Sequence, residues 1–213
     1  MNEYLFIYLQ SILNIIDMAR KIDEDKLLRI KNATMKTIVD CGIEKTTIAM
    51  IAKNANVSGG YLYRTYSGKQ AVIDNLYFDK VASLNNELSF LIGLNPTSIA
   101  PILKAFIQNR LLFAINEPIA SKFFYQLLHN DNFKLTGKLK DETINIMENI
   151  KKIGVQSGEI TESTNLTQIH YHILVYVVDY IQFVRSNFFE KQQLTTNAID
   201  YLVTNILNIF KKR

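Results

Sequence analysis

Tyr61, Tyr63, Arg64, Thr65 and Tyr66 form a dense run of hydrogen-bond donors on flat or forked side chains, directly behind the pair Gly59-Gly60 and ahead of Lys69. Glycines at a helix start cost backbone entropy. They also let a helix N-terminus come close to another molecule. Ser67-Gly68-Lys69-Gln70 has the Ser-x-x-Gln form of a capping box, so a further helix is predicted to begin there. A cation in that first turn opposes the helix dipole. Lys69 is therefore better explained by an external anion than by local stability, and a phosphate backbone is such an anion. The chemistry these residue types can perform is contact with a polyanion, with Arg64 alone carrying the donor fork suited to guanine.

Short helices must position this set. Thr46 or Thr47 can cap a helix whose apolar stripe is Ile48, Ile51, Ala52 and Ala55. Asn54-Ala55-Asn56 is turn chemistry, because Asn tolerates left-handed backbone. Val57 is expected to plug the angle between the helices, and Ser58 to cap the second. Upstream, residues 24 to 41 read as a bracing helix with Leu27, Ile30, Ala33, Thr34 and Ile38 inward, ended by Gly42.

With these residues in place, the chain resembles the TetR family of bacterial one-component regulators. The matching pattern is Gly42, Thr46-Thr47, Ile51-Ala52, Val57-Ser58-x-Gly60-x-Leu62-Tyr63 and Lys69, within roughly residues 26 to 73. It departs from the family's usual residues at Thr37, Ile38, Thr65 and Tyr66. The resemblance implies an all-α fold: a three-helix helix-turn-helix DNA-binding domain at 23–70, followed by a helical ligand-binding and dimerisation domain at 71–213. It implies a homodimeric regulator, most often a repressor, binding a near-palindromic operator and released by a small molecule. The DNA-binding residues implied are Thr46, Thr47, Ser58, Gly59, Gly60, Tyr61, Tyr63, Arg64, Thr65, Tyr66 and Lys69. The alternative is a ligand-binding or interaction protein of the same fold without specific DNA binding.

Composition agrees with a basic binding segment. From residue 26 to 80 the cations Lys26, Arg29, Lys31, Lys36, Lys45, Lys53, Arg64, Lys69 and Lys80 face the anions Asp40, Glu44, Asp74 and Asp79, whereas the remainder is close to balanced within a total of +4. Cys41 is the one cysteine, which excludes an internal disulfide, and is read as a small buried residue in a cytoplasmic protein. Residues 1–22 are an extension. Leu5, Leu9, Ile12 and Ile16 make a helical stripe too interrupted to span a membrane and without the basic residues of a signal peptide or interfacial helix. Either it packs as an extra helix or translation begins at Met18.

Beyond Asn95-Pro96 the pattern is helical throughout, with helices predicted near 99–115, 118–129, 134–153, 164–188 and 193–211 and a break at Gly154 and Gly158. A long helix, from 68 to about 92, precedes them. Ile199, Leu202, Val203, Ile206, Leu207 and Phe210 make a stripe broader than one core needs, and the resemblance assigns Ile199, Leu202, Val203, Ile206 and Phe210 to a dimer interface. For an effector pocket, which the resemblance implies, the candidates are Phe106, Arg110, Phe113, Phe124, Tyr125, His129, Tyr176 and Tyr180, with Gln126 and Asp179 as further polar groups. His170 and His172 point to nearly opposite helix faces and do not chelate together. No nucleophile elbow, phosphate-binding glycine loop or His-Glu-x-x-His is present, so neither an enzyme, a metal nor a cofactor is expected. The expected partners are operator DNA, a small effector and a second copy of the chain, not a membrane.

Overall fold

Caps and left-handed residues punctuate the chain into helices. A computed structural model describes residues 23–190 and 193–211, and the predicted stripe of residues 1 to 19 lies outside them. No strand occurs among the described residues. The chain divides into two units, Met1–Ile73 and Asp74–Arg213.

In the first unit, α1 spans residues 23–41 and stops at Gly42, whose φ of 84° is left-handed backbone. Helix α2 (Ile48–Ala55) is capped by the Thr47 hydroxyl, which accepts from Met50 N. Its end is Asn56, at φ 52° and ψ 52°. Helix α3 (Gly59–Thr65) is capped by Ser58, which accepts from Tyr61 N. Ile30, Ile38, Ile51, Leu62, Val72 and Ile73 are fully buried and bind these helices together. Two polar ties fix their angles. Arg29 Nη1 donates to the carbonyls of Ala55 (2.9 Å) and Asn56 (3.0 Å), satisfying the free end of α2, and Asn54 donates to the buried Thr37 hydroxyl (2.9 Å).

Helix α4 runs from Lys69 to Leu94, and its later part opens the second unit. There follow α5 (Ala100–Asn116), α6 (Pro118–Leu128), α7 (Gly137–Gln156), α8 (Leu166–His170), α9 (Tyr176–Ser186) and α10 (Ile199–Lys211). Helix α5 lies at the centre, packed on α6, α9 and α10. It has no side-chain cap of its own. Glu159 supplies one from far along the chain, accepting from Ile99 N (2.7 Å), Ala100 N (3.1 Å) and Ser98 Oγ (3.0 Å), and from Ser157 Oγ (2.6 Å). Burial pushes this carboxyl up, but those hydrogen bonds to its charged form outweigh burial and hold it below the usual range.

The predicted break at Gly154 is not a break. Gly154 lies inside α7, where Ile160 folds back so closely that an added Cβ would stand 2.5 Å from Ile160 Cγ1. The chain turns at Gly158, φ 72°. The single helix predicted over 164–188 is α8, a π-turn at Tyr171–Val175, and α9. Its buried residues explain the wide turn. Ile169, Ile173, Val177 and Ile181 recur every fourth position, a spacing that drifts about 40° per step on a regular α-helix. One i→i+5 turn absorbs that drift and keeps the stripe on the core.

Candidate DNA-binding surface and effector cavity

The exposed face of α3 is what its sequence makes it. Leu62 alone is buried, as the inward anchor. Gly59, Gly60, Tyr63, Arg64 and Thr65 are exposed, with Tyr63 at 61%. Nothing lies within 4 Å of where a Cβ would sit on either glycine. Tyr61 is held to α1: its hydroxyl donates to Asp23 (3.3 Å), and Lys26 and Arg64 each stand 4.9 Å from its ring centre. Burial, then Asp23, raises its phenol pKa, so the ring stays protonated. Thr47 and Ser58 are exposed caps, and Tyr66 is half-buried at the end of α3.

Two expectations about this surface need correction. Thr46 is buried, at 1% exposure, with its hydroxyl donating to the Gly42 carbonyl (2.8 Å). It is a structural residue of the α1–α2 turn and presents no side chain outward. Lys69 has a local anchor after all: its ammonium donates to the carbonyls of Ile43 (2.7 Å) and Glu44 (3.4 Å). Carbonyl oxygens of the α1–α2 turn supply the negative partner that the sequence argument sought outside. Cys41, expected to be buried, is exposed at the end of α1.

The second unit encloses a cavity of about 110 Å³, room for several waters. Its wall comes from α4 (Tyr77, Lys80, Val81, Leu84, Asn85, Leu88), α5 (Phe106, Arg110, Phe113), α6 (Ser121, Phe124, Tyr125, Leu128), Leu135, α7 (Thr143, Met147), His170 and the α8–α9 helix (Ile173, Leu174, Val178, Ile181). Phe106, Arg110, Phe113, Phe124 and Tyr125 thus line one space. His129, Tyr176 and Tyr180 do not. They line a separate, open cleft of about 570 Å³ with Tyr171, Asp179, Gln182 and Phe183, and Tyr125 edges both. In that cleft His129 Nε2 pairs with Asp179 at 2.9 Å. Gln126 lines neither.

The cavity's polar groups are unevenly satisfied. Asn85 and Thr143 bond each other at 3.0 and 3.2 Å. Arg110, 8% exposed, gives Nη2 to Glu87, whose other oxygen accepts from Asn109 (2.9 Å). Nε and Nη1 of Arg110 are buried without a hydrogen-bond partner. Its guanidinium lies 4.6 Å from the Phe106 ring centre. Lys80 was read as part of the basic segment, yet it lines this cavity, 3.6 Å from the Phe113 ring centre and 5.4 Å from that of Phe124. Burial, and then the Arg110 charge, lower its pKa to about 8 against the opposing pull of Glu117 and Glu87. Burial likewise lowers His170, which favours neutral imidazole. A cation one turn from Tyr77 and beside Val81 and Leu84 was the available sequence signal for Lys80, and it passed unread.

The expected dimer stripe points the other way. Ile199, Leu202, Ile206 and Phe210 are buried in the unit's own core at 8%, 0%, 0% and 1%, and Val203 is half-buried against it. The exposed apolar side chains near α9 and α10 are Phe183, Phe188, Phe189, Tyr201 and Ile209.

Residues 30–76 match the sequence model of the bacterial regulatory proteins, tetR family. Over this segment the chain is similar to the DNA-binding part of that family. The fatty acid metabolism regulator protein of Bacillus subtilis (strain 168) is 25% identical to the chain over 145 residues, which span 66% of this chain and 74% of the relative. The crystal structure of FadR from Bacillus subtilis in complex with stearoyl-CoA superposes with a TM-score of 0.70 at 17% identity, covering 87% of this chain and 99% of that one. A TetR family transcription regulator from Marinobacter aquaeolei VT8 gives 0.70 at 14% identity over 91% and 100%. These structural likenesses show the all-helical fold. Among the described residues, no helix is long and apolar enough to cross a membrane, and no cluster of three His, Cys, Asp or Glu could hold a metal ion.

Proposed function

We propose that the protein is a homodimeric repressor that binds a near-palindromic operator and leaves it when the cavity of the second unit takes up a small apolar effector. Residues 23–70 would serve as the DNA-binding part and 71–213 as the effector and dimerisation part. One α3 per subunit would enter the major groove, with half-sites about one turn apart, ~34 Å. Tyr63 and Thr47 would hold phosphates, Lys69 would approach them from its carbonyl seat, and Ser58, Gly60, Tyr61 and Arg64 would face or flank base edges. Pairing would use Phe183, Phe188, Phe189, Tyr201 and Ile209, because the stripe of α10 is already covered.

The observation that carries this reading is the partly enclosed, largely apolar cavity in a chain that also presents an open, glycine-led α3. The likeness to regulators of fatty acid metabolism, one of them seen with stearoyl-CoA, supports an effector with a long hydrocarbon part. Helix α4 contributes Lys69 at one end and cavity wall further along, so an effector that favours one position of α4 would bias DNA binding. The test is a titration of the protein against DNA from upstream of its own gene and against scrambled duplex, at several salt concentrations, with Tyr63→Ala as control. Selective binding that weakens with salt and with the substitution is expected. Equal, weak binding to both duplexes, untouched by Tyr63→Ala, would remove the repressor.

A further inference from the structure

Apolar walls alone would accept any greasy molecule. The cavity is not apolar alone. Among the described residues, the buried side-chain nitrogens and oxygens without a hydrogen-bond partner are Nε and Nη1 of Arg110 and Oε1 of Gln182, and of these two residues Arg110 lines this cavity. Two unmet N–H groups on one buried guanidinium are costly, and more so when the group is charged. They point to different sides of the planar group, so a carboxylate in the cavity accepts from one of them. The charge count agrees. Arg110 and Lys80 carry two positive charges into the wall, and Glu87 returns one negative charge. Glu117, the other anion that acts on Lys80, is exposed at the end of α5 and is screened by solvent. Water filling the cavity would satisfy the two nitrogens but leave the charge. An anion meets one of the nitrogens and the charge together.

We propose that the effector is an amphipathic acid whose carboxylate accepts from an unmet N–H of Arg110 beside the Lys80 ammonium, with its hydrocarbon body along Tyr77, Leu84, Phe124, Met147 and Ile173. This rests on the effector reading above and narrows it: the acid itself, rather than its esters or thioesters, is the species recognised, because the anionic end lies inside the wall. Lys80 supplies a mobile point charge and Arg110 a fixed donor.

The full chain is tested with straight-chain alkanoates from octyl to tetradecyl, the alkanols of the same lengths and the corresponding alkanoyl-CoA compounds. Ligand-induced thermal stabilisation gives affinity, and release of labelled operator gives the functional response. The acid is expected to bind at least tenfold more tightly than the alcohol, the value of about one charge-assisted hydrogen bond or more. Lys80→Met is expected to reduce that preference, and Arg110→Met to abolish it. Since Arg110→Met leaves the half-buried Glu87 without its cation, the pair Arg110→Met with Glu87→Gln keeps the wall neutral there. Unchanged alcohol binding shows that each variant has folded. Equal wild-type affinity for acid and alcohol, an acid preference that survives both substitutions, or CoA compounds binding independently of them would each overturn the proposal. Failure of all three ligand classes would overturn it too. In that case operator release by some other apolar compound would leave the repressor reading intact, whereas absence of selective operator binding would remove that reading on its own account.

Discussion

Gly60→Ala separates what α3 needs in order to fold from what it needs in order to touch DNA. In the free protein the added methyl meets nothing within 4 Å, and Gly60 does not use left-handed backbone. Alanine in a helix is favoured over glycine by roughly 0.5–1 kcal/mol. The variant should therefore melt higher, by about 2–4 °C per kcal/mol for a chain of this size. If the start of α3 lies against the duplex, the same methyl overpacks that contact. Such intrusions cost about 1–3 kcal/mol, or roughly fivefold to a hundredfold in affinity. Gly93→Ala is the matched control, since Gly93 is also an exposed helical glycine with nothing within 4 Å, but in α4. Thermal melts and operator-binding anisotropy on the three proteins give both numbers. A variant at Gly60 that is more stable and binds DNA poorly, beside a Gly93 variant that is more stable and binds normally, is the expected result. Unchanged operator affinity in Gly60→Ala would refute the placement of α3. A lowered melting temperature would refute the account of the glycine itself.

Gly154→Ala should act oppositely, losing about 1–3 kcal/mol in a chemical melt because Ile160 already occupies the space; a neutral result would mean that the turn after α7 is looser than described. Glu159, with its native pKa below the unfolded value, favours the folded state above the ordinary glutamate pKa of about 4.3, and that contribution is lost as pH falls through the lower native value. Glu159→Gln should accordingly flatten the acid limb of a stability-versus-pH curve, and an unaltered acid limb would contradict the cap. Lys80, protonated below about pH 8, faces Arg110, Glu87, Glu117 and neutral His170. A bound carboxylate should raise its pKa, so affinity for the acid should hold below pH 8 and fall by up to tenfold per pH unit above it, with proton uptake on binding measurable in buffers of different ionisation enthalpy. A flat profile, or one kept by Lys80→Met, would count against Lys80 as the anion's partner.

The first unit was readable because its determinants are local. Thr47, Asn56 and Ser58 act on backbone within three residues of themselves, so spacing alone reveals the turn between α2 and α3. Burial and long-range partners were less legible. A hydroxyl at position 46 or 47 looks the same on paper, and only packing sends Thr46 inward. Arg29 and Lys69 looked like free cations because the carbonyls they hold are some 25 positions away. The α10 stripe shows that breadth of apolar surface does not say whose core it covers. In the cavity, aromatic spacing on α5 and α6 pointed to five wall residues. His129 follows the end of α6, and Tyr176 and Tyr180 stand on α9, all turned to the open cleft. Lys80 and Glu87 were missed because a charge amid an apolar stripe acquires meaning only once the facing helix supplies its counterpart.

The wide turn at Tyr171–Val175 also works as an index. An α-helix advances about 100° per residue. Removing one residue from that turn would restore regular winding and rotate everything beyond it by about that angle in a single step. Val178 and Ile181, which wall the cavity, and Phe183, which is exposed, would rotate together. A lineage of such proteins could thus exchange the chamber's lining and its outward aromatic face at once, through a one-codon deletion or insertion, without altering any side chain.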